Sequence, residues 1–107
     1  MTNLESLQSS DYENKVVHAA IPVILDFSAE WCAPCKRMSP ILAELAMQWE
    51  GKAKFFSVDA DSNSELVSLY RIMSLPTLVI IKGGKEVHRL IGLQTKEKLA
   101  GEFGFHI

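Results

Sequence analysis

Trp31-Cys32-Ala33-Pro34-Cys35-Lys36 carries the only two cysteines of the chain. It stands where a continuous apolar run, Val23-Ile24-Leu25-Asp26-Phe27, gives way to a helical pattern. A Cys-x-x-Cys in a short chain with β-α-β patterning reads first as a thiol–disulfide redox motif. Side chains three apart on a helix have Cβ atoms roughly 5–6 Å from each other, so a small adjustment at the first turn brings two sulfurs into bonding range.

On the N-terminal side of the motif, the unalternated run after Pro22 suits a central parallel strand covered on both faces, which makes Asp26 the odd residue. On the C-terminal side, Met38, Ile41, Leu42, Leu45, Ala46 and Trp49 fall at i, i+3, i+4, i+7, i+8 and i+11, a one-sided helical stripe ending at Gly51. Pro40 lies inside that stripe and predicts a kink without a stop. Trp49 reads as packing on the helix face.

The rest of the chain repeats the alternation. Asn3–Leu7 reads as a short first strand, and Ser10 with Glu13 has capping-box spacing for a helix to about Ala19 with Val16 and Val17 inside. Ala53–Val58 reads as a strand, and Ser62 with Glu65 as the cap of a short helix presenting Leu66, Leu69, Tyr70 and Met73 inward. Pro76 ends any helix. Thr77–Ile81 and Glu86–Ile91 then flank a Gly83-Gly84 turn as an antiparallel hairpin, and Thr95 caps a last helix with Leu99 and Phe103 inside and Ile107 beyond. Gly101 and Gly104 weaken that helix by roughly 1 kcal/mol each relative to Ala, so its end is expected to fray. The order describes one layered α/β domain, residues 1–107, with helices on both sides of a sheet. Its β-α-β portion is parallel through right-handed crossovers.

Composition narrows the partners. With 107 residues, 48% apolar, the chain is large enough to bury a core without staples. Thirteen acidic against eleven basic residues, net −2, leave no basic stripe for nucleic acid and no polybasic membrane anchor. The first twenty residues lack the charged and apolar regions of a signal peptide, and no run reaches transmembrane length, so a cytoplasmic location is expected. There a thiol pair is usually kept reduced, which favours a catalytic or metal-binding pair over a permanent bridge. The metal alternative, a zinc half-site, finds no H-x₃₋₅-H partner among His18, His88 and His106.

The chemistry follows from position. Cys32, just before or at a helix start, faces unpaired N–H groups and the positive dipole end, which favour the attacking thiolate, and Lys36 adds charge nearby. Pro34 fits a first turn, where its missing N–H is not required. An exposed Cys32 is expected to attack a substrate disulfide, after which Cys35 attacks Cys32 and releases the reduced substrate. Cys35 must lose a proton, and Asp26 is the candidate acceptor, because burial without a cationic partner raises a carboxyl toward neutrality. The alternative for Asp26 is a strand-end acid bonded to backbone or water. Trp31, beside an exposed nucleophile, reads as groove surface; Asp59 and Asp61 read as acids of a strand-to-helix loop.

These residues resemble the thioredoxin family. The match is carried by Asp26-Phe27-Ser28-Ala29-Glu30-Trp31-Cys32-Ala33-Pro34-Cys35-Lys36, then Pro40, Val58-Asp59, Tyr70-x-Ile72, Leu75-Pro76-Thr77, Gly84 and Gly92, in the family's order and spacing. The resemblance implies the α/β thioredoxin fold, a central five-stranded mixed β-sheet flanked by four α-helices, with a cis peptide before Pro76 beside the cysteines. It also implies a substrate groove formed by Trp31, Ala33, Pro34, the Ser74-Leu75-Pro76 loop and Gly92, where the backbone at Leu75 pairs with an extended substrate segment. No bound cofactor is implied beyond the redox-active Cys32–Cys35 pair. The implied electron donor is a flavin-containing thioredoxin reductase using NADPH, and the other partners are disulfide-containing client proteins.

Two positions depart from the family pattern. Ala33 stands where Gly is common, which changes backbone freedom between the cysteines. Phe55 stands where a Lys is frequent, and Lys54 beside it is expected to point to the opposite face, leaving Asp26 without that ammonium. The expected activity is reduction of protein disulfides by a monomer. An oxidase or isomerase, and a non-catalytic interaction module using the Trp31, Leu75 and Gly92 surface, are the alternatives.

Overall fold

Six consecutive buried residues, Val23–Ser28, form the strand β2 at the centre of a five-stranded sheet. The computed structural model describes residues 4–107. Among these, β1 is Glu5–Ser6, α1 Ala33–Gln48, β3 Lys54–Asp59, α2 Ser64–Leu69, β4 Thr77–Lys82, β5 Lys85–Ile91 and α3 Lys96–Gly104. The sheet order is β1-β3-β2-β4-β5, with β1, β3 and β2 mutually parallel and β4 and β5 antiparallel to their neighbours. It is the expected mixed sheet.

Strand alternation sends β2 side chains to both faces, which is why the run is apolar throughout. Leu25 and Phe27 pack with Leu7, Val16, Phe56, Val58, Leu66 and Tyr70, beneath the N-terminal turns and α2. Ile24 packs on the other face with Met38, Leu42 and Leu45 of α1 and Leu99 and Phe103 of α3. Pro40 interrupts α1 without ending it, and the helix runs on to Gln48 with its apolar stripe intact. Gly83 and Gly84, at φ +61° and +80°, make the two-residue hairpin turn between β4 and β5; positive φ at both central positions is what a type I′ turn requires.

Several local expectations are corrected. The segment after β1 is not an α-helix but a 3₁₀ turn at Ser9–Asp11 followed by a π-helical turn at Glu13–Val17, and Ser10 lies inside the first rather than capping a helix. The fourth flanking helix is therefore a pair of short turns, although Val16 is buried as expected. The first strand covers only Glu5–Ser6, while Asn3, its expected start, lies outside the described residues. At α2 the residue before the helix is Asn63, not Ser62. Asn63 is buried because its side chain accepts from the Ser9 N–H at 3.2 Å and donates to the Asp59 carbonyl at 3.0 Å.

Leu69 and Met73, expected inside, are 59% and 92% exposed. For Met73 the reason is the end of α2: Arg71 takes φ +53°, its N–H donates to Ser68 O, and the Ile72 N–H donates to Val67 O. This Schellman arrangement turns the chain before the stripe can reach Met73.

Candidate active site

Ser28 ends β2 and Ala33 begins α1, so a loop of only a few residues carries the chain from strand to helix. Cys32 occupies the N-cap in an extended conformation, and its Sγ accepts the Cys35 N–H at 3.2 Å. An amide that has no intrahelical acceptor therefore points at this sulfur. Pro34 sits in the first turn, as its missing N–H allows. Cys32 and Cys35 form a disulfide with Cα atoms 5.3 Å apart.

Both cysteines are buried, Cys32 at 4% exposure and Cys35 at 3%, in a cluster with Ala29 and the half-buried Leu75. The expectation of an exposed Cys32 is thus corrected: in the closed disulfide its exposure barely differs from that of Cys35. What separates the two is position, Cys32 at the cap and Cys35 within the helix.

The residues expected around the pair converge on it from three segments. Trp31 is 70% exposed, and its indole Nε1–H donates to Asp61 Oδ2 at 2.9 Å. Ala33 is exposed and Pro34 half-buried. The Leu75–Pro76 peptide is cis, Pro76 is buried and Ser74 exposed, and the Thr77 hydroxyl donates to Ser74 O at 2.7 Å. Gly92, at φ +87°, donates its N–H to Pro76 O at 2.8 Å, which places the β5–α3 loop against the proline loop. Met73 adds an exposed thioether side chain on the approach to the proline loop.

Asp26 lies in β2 between Ser57 of β3 and Leu78 of β4, two residues after Ile24 and so on the face covered by α1. Cys35 is one helical turn before Met38, which packs against that face. Asp26 is 1% exposed, and neither carboxylate oxygen has a hydrogen-bond partner. Burial disfavours its charged form and pushes its pKa up to about 7. Lys54 points away, as expected, to pair with Glu5 at 2.9 Å, while Phe55 is buried beneath Trp49 with ring centroids 6.0 Å apart.

Sequence reasoning did not assign roles to Asp61 and Thr77 here. Asp61 was legible as a loop acid, but its reach to Trp31 across thirty residues had no local signal; Thr77 was legible as a strand residue within the Leu75-Pro76-Thr77 motif. No described helix is long and apolar enough to cross a membrane.

Comparison with known proteins agrees with this geometry. Residues 3–103 match the family model described as Thioredoxin. The chain is 36% identical over 107 residues to "Thioredoxin 1" of Nostoc sp., with all of both chains covered. It is 40% identical over 98 residues to "Thioredoxin" of Staphylococcus aureus, with 92% of each chain covered.

Proposed function

The chain belongs to the thioredoxin family and is a thiol–disulfide oxidoreductase, and we propose that it serves as a reductant of protein disulfides, with Cys32 as nucleophile and Cys35 as resolving thiol. The observation that carries the assignment is the Cys35 N–H directed at Cys32 Sγ from the helix start. In the reduced protein that amide and the helix dipole favour negative charge on the Cys32 sulfur. The Cys32 thiolate attacks one sulfur of a client disulfide, forming a mixed disulfide and expelling the other client sulfur as a thiolate, which takes up a proton. Cys35 then gives its proton to Asp26 and attacks Cys32 Sγ. The Cys32–Cys35 bond closes, the second client sulfur leaves, and two electrons have passed to the client.

The groove is assigned to Trp31, Ala33, Pro34, Ser74, Leu75, Pro76 and Gly92, with the Leu75 backbone pairing with an extended client segment. The 1–107 unit acts as a single domain and a monomer in the cytoplasm. No cofactor is bound, and the disulfide is reopened by electrons from NADPH through a thioredoxin reductase.

Reduction of insulin disulfides under a dithiol donor tests the roles. Cys32→Ser abolishes turnover, whereas Cys35→Ser still attacks and accumulates as a mixed disulfide. Exchange that survives Cys32→Ser contradicts the choice of nucleophile. For Asp26 the prediction is kinetic: Asp26→Asn slows the resolving step about tenfold or more near pH 7, while the first attack keeps its rate. A resolving rate unchanged between about pH 6 and pH 9 rejects Asp26 as proton acceptor.

A further inference from the structure

Three kinds of hydrogen bond hold the loop that joins β5 to α3, and one has an uncommon acceptor. The Gly92 N–H donates to Pro76 O at 2.8 Å, tying the loop to the cis proline. The Gln94 side chain braces it from within, Nε2 donating to Ile91 O at 2.9 Å and Gly92 O at 3.4 Å. The third bond runs from the Gln94 backbone N–H to the thioether Sδ of Met38 at 3.3 Å.

Met38 is fully buried, one turn after Cys35 and on the same side of α1. A thioether is a weak acceptor, but a partly buried N–H left without one costs more than the weak bond contributes. Leucine at this position would keep nearly the same volume in the layer between α1 and the sheet and would offer no acceptor. Packing alone therefore does not account for a sulfur aimed at this amide.

We propose that Met38 is a positioning residue for client binding: its sulfur sets the Gly92–Leu93 wall of the groove at a fixed distance from the Cys32–Cys35 pair. The inference rests on the reductase reading and the groove assigned above. The wall stands between two anchors, Pro76 through the Gly92 N–H and α1 through Met38. Leu93, between them in sequence and 45% exposed, offers an apolar side chain to a segment lying along the groove. A small disulfide reaches the sulfurs without lying along that wall and does not use it.

The test compares the full-length protein with Met38→Leu on two substrates, insulin and the small aryl disulfide dithiobis(nitrobenzoic acid). The expected result is a KM for insulin raised about threefold to tenfold with kcat kept, because uniform binding and not the chemistry is lost. The small disulfide reacts at the wild-type rate. Amide exchange at Gln94 accelerates, while the Leu99 amide, which bonds to the O of the α3 cap residue Thr95, keeps its protection. An unchanged insulin KM, unchanged Gln94 exchange, or equal slowing of both substrates overturns the proposal. Should the leucine variant not fold, norleucine introduced at position 38 by chemical ligation keeps the shape without the sulfur and decides between the same outcomes. A wild-type chain that reduces neither substrate defeats the reductase reading; one that reduces both while Met38→Leu matches it defeats only this inference.

Discussion

Asp26 is the residue whose environment differs most from its chemistry. In the folded chain burial opposes its charge and pushes its pKa up to about 7 from an ordinary 3.8. Between those values the folded chain holds a proton that the unfolded chain has released, so stability falls as pH rises through that window. Below about pH 4 the carboxyl is neutral in both states and the effect vanishes. Asp26→Asn is neutral at every pH and is expected to be more stable than the wild type by on the order of 2–4 kcal/mol at pH 8, with the difference closing at pH 4. Urea denaturation at the two pH values reads it, and equal gaps at both would contradict the buried, unpartnered carboxyl. Arg71 is under local backbone strain, since φ +53° disfavours any side chain with a Cβ. Arg71→Gly is predicted to add about 0.5–1 kcal/mol of stability, measured as a higher urea midpoint with an unchanged slope.

At the scale of elements, what the sequence made legible followed from periodicity and from residues with few conformational choices. The Val23–Phe27 run became the central strand because it must serve two faces, and the stripe from Met38 to Trp49 became α1 because its spacing fits one helical side. Gly83 and Gly84 marked the hairpin because positive φ is cheap only for glycine. The failures are also physical. Capping-box spacing at Ser10 and Glu13 cannot distinguish an α-helix from 3₁₀ and π turns, since the choice depends on packing of Leu7 and Val16 under the sheet. Extrapolating the α2 stripe to Met73 assumed that the helix continued, whereas Arg71 reverses the chain. Asn63 was invisible as a buried residue because its partner, Ser9, lies fifty-four positions away. The cap expected at Thr95 is present, its side chain accepting the Lys98 N–H at 3.1 Å. Thr95→Ala should therefore cost about 1 kcal/mol, and a thermal midpoint equal to the wild type would contradict the cap's contribution.

Across the whole molecule, the sheet brings together segments that the chain separates. Cys32 and Cys35 come from the β2–α1 junction, Leu75 and Pro76 from the entry to β4, and Gly92 from the exit of β5. Because β4 is hydrogen-bonded beside β2, its N-terminal loop lies next to the C-terminal end of β2, where the cysteines begin α1. The motif made the redox pair legible, and the family resemblance made its neighbours legible; burial of Cys32 was not, because it depends on Ala29 and Leu75 closing over the pair. In the proposed function this assembly donates electrons. Its most direct test is the equilibrium redox potential of the Cys32–Cys35 couple, titrated in the full chain against a dithiol buffer and read by alkylation and mass. A reversible two-electron couple more reducing than the glutathione pool is predicted. A couple more oxidising than that pool would contradict the reductant assignment and point to an oxidase or isomerase.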